Sequence, residues 1–162
     1  MRRLLGAILA AVLLLEGCGK EPVQTTGLFP DTATAETTQA SSEAEQIASD
    51  LSITDLKRLR DRNIKGLFFN GSQIYTDAAV LVSENDKADL VGVFYVTDME
   101  QARAGIQSYL AQMKSQYTIY SSSERFKIDN AAMADNNKDK IVLIICDDVE
   151  AAEKKAEEAV QQ

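Results

Sequence analysis

Leu90-Val91-Gly92-Val93-Phe94-Tyr95-Val96-Thr97, running straight into Asp98-Met99-Glu100, is the stretch on which the reading of this chain turns. Its β-branched and aromatic residues suit a pleated, half-buried strand. The tetrad Thr97-Asp98-Met99-Glu100 closes that strand with a hydroxyl residue and an acid three positions on, a capping box that opens a helix. The helix so begun carries Met99, Ala102, Ile106, Tyr109, Leu110, Met113 and Tyr117 on one stripe, the face expected to pack on the sheet.

Working back from this point, residues 77–83 form a second β-branched run, separated from the first by Glu84-Asn85-Asp86-Lys87. The two are expected to pair antiparallel. Asn70-Gly71 is a good turn dipeptide, while Leu67-Phe68-Phe69 before it reads equally as a strand or a loop. Further back, a helix is expected from Ser42, with Ala44, Ile47, Ala48 and Leu51 at helical spacing and Glu45 completing a capping box. A second helical turn or two is expected from Thr54, with Leu56 and Leu59 inward.

Working forward, Ser121-Ser122-Ser123 reads as a polar break. Residues 131–134 and 140–146 are expected to form a second strand pair around Asp135-Asn136-Asn137-Lys138, and a last helix runs from Asp148 toward Val160. The order helix, strand, strand, helix, strand, strand, helix predicts an α+β fold, a mainly antiparallel sheet of about four strands with helices packed on one face.

The start of the chain is of a different kind. Arg2 and Arg3 precede an apolar run from Leu4 to Leu15, too short for the ~20 residues of a spanning helix and right for an export signal. The run ends at Leu15-Glu16-Gly17-Cys18, where Leu15 and Gly17 match a lipoprotein processing site and Glu16 departs from it. Residues 1–17 are therefore expected to be a cleaved lipoprotein signal and Cys18 the lipidated residue. The alternatives are an ordinary cleaved signal and an uncleaved hydrophobic anchor, both of which also leave the domain outside the membrane. Residues 18–42, rich in Thr, Ser and Ala and holding both prolines, Pro22 and Pro30, bury too little to fold and read as a tether. Its ~24 residues reach an r.m.s. ~25–30 Å, or ~80 Å fully stretched. Residues 43–162 remain as one α+β extracytoplasmic domain.

Composition narrows the function. The net charge of −8 becomes −9 once Arg2, Arg3 and Glu16 leave with the signal, which disfavours nucleic acid and anionic lipid as partners. Histidine and tryptophan are absent, which removes the commonest general base and metal ligand. No phosphate loop, nucleophile elbow, Ser-x-x-Lys, His-Glu-x-x-His or Cys-x-x-Cys motif occurs. No catalytic residue, cofactor or metal is assigned.

Individual candidates each have a structural counterpart. Lys57, Arg58, Arg60 and Arg62 make a basic cluster in an acidic chain, read as a solvated helix face or as an anion or partner contact. Asp135, Asn137 and Asp139 have the spacing of a calcium loop, but Lys140 stands where its glycine belongs and Cys146 where its bidentate Glu belongs, so a polar hairpin turn is expected. Asp147 and Asp148 sit between a strand and a helix, a place for caps or for acid–base chemistry. Cys146, inside Ile141-Val142-Leu143-Ile144-Ile145-Cys146, is expected as a core thiol. Tyr75, Tyr95, Tyr109, Tyr117 and Tyr120 fit half-buried positions or a ligand surface.

Ala88-Asp89-Leu90-Val91-Gly92-Val93-Phe94 before the capped helix, then Asn130-Ala131-Ala132 and the Ile141-Val142-Leu143-Ile144-Ile145 strand, resemble a family of small lipoproteins of low-GC Gram-positive, Clostridia-type bacteria that carry a domain of unknown function. The resemblance spans roughly residues 51–160, implies the same location and fold class, and supplies no catalytic residues. The expected function is a membrane-anchored extracytoplasmic binding or protein-interaction module, its partners the membrane through the lipid and an envelope protein. The alternative is a small cell-surface hydrolase or an accessory factor of an envelope enzyme. A solute-binding lipoprotein is disfavoured, because about 110 folded residues are too few for a two-lobed clamp.

Overall fold

A computed structural model describes residues 37–85, 87–116 and 121–162. The signal at 1–17, Cys18, the tether as far as residue 36, Asp86, Tyr117 and Tyr120 lie outside the described residues.

The α+β class and the antiparallel sheet are as expected. Among the described residues the sheet has five strands: β1 (Leu56–Arg58), β2 (Tyr75–Ser83), β3 (Leu90–Val96), β4 (Ala132–Asp135) and β5 (Lys140–Ile145). They stand in the order β1-β2-β3-β5-β4 with every neighbouring pair antiparallel. The two expected hairpins are β2–β3 and β4–β5, and the second docks so that β5 lies against β3 and leaves β4 at the edge.

Among the described residues five helices accompany the sheet, α1 (Gln39–Asp50), α2 (Asp61–Phe69), α3 (Met99–Gln116), α4 (Ser122–Asp129) and α5 (Val149–Ala159). They cover both of its faces, not one. Ile64, Phe68 and Phe69 of α2, Ala102, Ile106 and Tyr109 of α3 and Ile128 of α4 pack on Val80, Leu90, Phe94, Ile141, Leu143 and Ile145. On the other side Ala40, Ala44 and Ile47 of α1 and Ala152 and Ala156 of α5 pack on Ala79, Val91, Val93, Val142 and Ile144. Successive side chains of a strand point to opposite faces, so the central strands are apolar at nearly every position because each face meets helices.

Two close approaches set the packing of the first layer. Gly92 lies under the Phe94 ring, where an added Cβ would stand 2.8 Å from a ring carbon. Gly105 of α3 lets the α2 backbone in, since a Cβ there would fall 2.1 Å from the Phe68 carbonyl oxygen. Around this contact Phe68, Phe69, Phe94 and Tyr109 stack at centroid distances of 4.2 to 6.1 Å.

Five local expectations change, the first being that Leu67-Phe68-Phe69 is neither strand nor loop but the last turn of α2. Helix α1 starts at Gln39, ahead of Ser42, because Thr38 caps it and forms the reciprocal box with Ser41. The stretch after Thr54 is not helical: it enters strand β1, and α2 begins only at Asp61. The polar serines do not break the chain, since Ser121 accepts the Glu124 N–H and caps α4. The cap of α3 is shifted by one residue, with Asp98 Oδ1 accepting the Gln101 N–H at 2.9 Å in place of the Thr97–Glu100 box.

Candidate functional site

The two edges of the sheet are protected unequally. Strand β1 is three residues long and carries Lys57 and Arg58, and charge on a short edge discourages another strand from pairing there. Strand β4, Ala-Met-Ala-Asp, has no charged side chain before its last residue. A groove of about 630 Å³ runs beside it, with residues 131–135 as one wall and Glu153, Ala156, Glu157, Val160 and Gln161 of the α5 region as the other.

The register fixes which peptide groups of β4 face that groove. Asn136 N–H donates to the Lys140 carbonyl at 3.1 Å, so residues 136 and 140 form a hydrogen-bonded pair. In an antiparallel ladder such pairs alternate. Ala134 and Ala132 therefore exchange bonds with Val142 and Ile144, while Met133 and Asp135, opposite Leu143 and Ile141, turn their N–H and C=O away from β5 and toward the groove. The alanine side chains keep the wall low, so another backbone can approach closely.

The turn holds β4 rigidly at this edge. Asn136 Oδ1 accepts the N–H groups of Lys138, Asp139 and Lys140, each at 3.0 Å. Arg103 of α3 reaches over as a fork, with Nε 2.8 Å from Asp135 Oδ2 and a terminal nitrogen 2.6 Å from both Asp135 Oδ1 and Asn137 Oδ1. These bonds hold the Asp135 carboxyl below the ordinary aspartate range, the Arg103 hydrogen bond counting most. Asp135 and Asn137 thus serve a clamped hairpin turn, and among the described residues no group of three His, Cys, Asp or Glu is placed to hold a metal.

Two buried lysines tie helices to the ends of the sheet. Lys127 of α4, 3 % exposed, donates to Asp89 Oδ1 at 2.8 Å and lies 3.1 Å from Asp147 and 3.4 Å from Glu124. Burial works to lower its pKa, but the hydrogen bonds it donates to Asp89 and Asp147 outweigh that influence and raise the pKa above the ordinary lysine value. At the opposite end Lys140 donates to the Ala159 carbonyl at 2.6 Å and pairs with Glu43 at 2.8 Å, beside the Tyr95 ring. Glu43 also accepts the Tyr95 hydroxyl at 2.6 Å. Burial works to raise the Glu43 pKa, but its bonds to Lys140, Tyr95 and Gln39 together lower it.

The remaining sequence candidates fall apart in space or take structural posts. Lys57 and Arg58 sit on opposite faces of β1, opposite Val82 and Leu81, and Arg60 is the N-cap of α2 with Arg62 in its first turn. The basic residues are therefore spread around one sheet edge and not along a helix face. Asp148 caps α5 by accepting the Ala151 N–H at 3.0 Å, and Asp147 serves Lys127. Cys146 is buried, its thiol 3.4 Å from the Asp148 carbonyl, and burial raises its pKa. Tyr75 is committed to Asp61 at 2.5 Å.

Comparison with family models, with curated proteins and with solved structures finds no match for this chain. Among the described residues no helix is long and apolar enough to cross a membrane.

Proposed function

We propose that this chain is a lipid-anchored, extracytoplasmic binding module that engages a protein partner in the groove beside β4. The observation that carries the reading is the β4 edge itself: outward peptide groups, low alanine walls and a groove of about 630 Å³ at a rigidly held strand. Pairing with an open edge gains main-chain hydrogen bonds without any rearrangement of the host sheet. Anchoring through Cys18 rests on the Leu15-Glu16-Gly17-Cys18 site and its apolar leader. Hydrolysis by Asp147 or Asp148 is the weaker reading, because each carboxylate is already engaged in an ion pair or a helix cap.

The test is site-specific photo-crosslinking in intact cells. A crosslinking residue is placed at Gln161, exposed in the groove, or at Lys57 on the opposite edge, in the native chain and in Cys18→Ser. The expected result is one adduct of defined mass from position 161, none from 57, and release of Cys18→Ser from the membrane fraction. An adduct from position 57 alone would move the contact to the basic edge, and membrane retention of Cys18→Ser would remove the lipid anchor.

A further inference from the structure

We infer that the segment received by the β4 edge is an extended, cationic peptide with a positive side chain at every second position, a proposal that rests on the groove being the binding site. The α5 wall presents Glu153 and Glu157, both exposed, to the groove. Four helical residues advance about 6 Å along the axis, and two strand residues advance about 6.6 Å. A strand laid beside β4 therefore brings alternate side chains past these two carboxylates in step. The intervening side chains fall on the other face, beside Met133 and the Arg103–Asp135 pair, which is already neutralised.

The same charges disfavour a second copy of the chain as the occupant. A second copy pairing β4 with β4 about a two-fold axis would set Glu153 and Glu157 of one α5 near those of the other, between chains of net charge −8. Like charges so placed destabilise the pair, whereas a cationic partner gains on both main-chain and side-chain contacts.

The experiment uses the full chain in detergent with three labelled nine-residue probes, read by fluorescence anisotropy. One alternates Lys with Val, the second replaces Lys by Glu, and the third keeps the lysines but replaces the valines by Pro, which cannot donate to a strand ladder. The Lys–Val probe should bind one to one, and the Glu and Pro probes should bind more weakly by on the order of tenfold or more. Glu153→Lys with Glu157→Lys should weaken the Lys–Val probe by a similar factor with thermal unfolding unchanged, while Lys57→Glu leaves it as it was. Equal binding of the Pro probe would overturn strand addition, and equal binding of the Glu probe would overturn the charge preference. Sedimentation showing a dimer that the two Glu→Lys changes strengthen would make a second copy the occupant. Any of these leaves the position-161 crosslink, and so the groove as a binding site, standing or failing by its own result.

Discussion

Gly105 shows how much one hydrogen atom in place of a side chain decides. A Cβ there would meet the Phe68 carbonyl oxygen at 2.1 Å, a backbone atom that cannot move without shifting α2. Gly105→Ala is expected to cost about 1–3 kcal/mol in urea unfolding. Gly66, exposed on α2 with nothing within 4 Å of its missing Cβ, should respond in the opposite sense, Gly66→Ala gaining about 0.5–1 kcal/mol. Equal responses at the two sites would contradict the close helix approach. Lys127 offers a second contrast: Lys127→Met leaves Asp89 and Glu124 uncompensated and should cost about 3–5 kcal/mol. Asp147→Asn should cost under about 1 kcal/mol, because the Asp147 side chain is 84 % exposed. None of this was legible in the sequence at the level of single residues. Lys127 and its partner Asp89 are 38 residues apart, and next to Lys127 it is Phe126 that stands 57 % exposed, the reverse of what their chemistry suggests.

At the scale of elements, the helix α1 is pinned to the sheet through Glu43, and the β4–β5 hairpin to α3 through Asp135. Both carboxyls have folded-state pKa values below their ordinary ones. The stability they contribute is thus present above the unfolded values near ~4 and is lost as pH falls through the lower, folded values. Denaturant midpoints should fall on acidification below about pH 4, and Glu43→Gln should flatten part of that decline. An identical acid limb in Glu43→Gln would contradict the pinning of α1. Elements with strong patterns were legible: the two hairpins, α3 and α5 follow from alternation, turn residues and stripes. Residues 141–146 are apolar at every position, which fits a sheet covered on both faces, whereas the order of elements alone predicts helices on one face only. Strand β1 and helix α4 were hidden because three residues with two charges give no period, and because α4 buries a lysine and exposes a phenylalanine.

At the scale of the whole molecule, the five strands among the described residues leave two edges, one short and charged, the other low-walled and beside a groove with two glutamates. The candidate site escaped the sequence because it joins the Ala-Met-Ala strand, expected at residues 131–134 but carrying no functional side chain, to a helix some twenty residues further on, and strand order is what makes that strand an edge. The clue present in the sequence was the absence of any edge-guarding lysine or proline in residues 131–134, which has meaning only once the edge is known. Whether a partner completes the sheet at β4 is decided by residue-resolved amide exchange of the full chain with and without the Lys–Val probe. The Met133 amide, turned outward in the free protein, should slow by about tenfold or more when the probe is bound, with Lys57 and Arg58 unchanged. Saturating probe with Met133 exchanging at its free rate would contradict strand pairing at this edge.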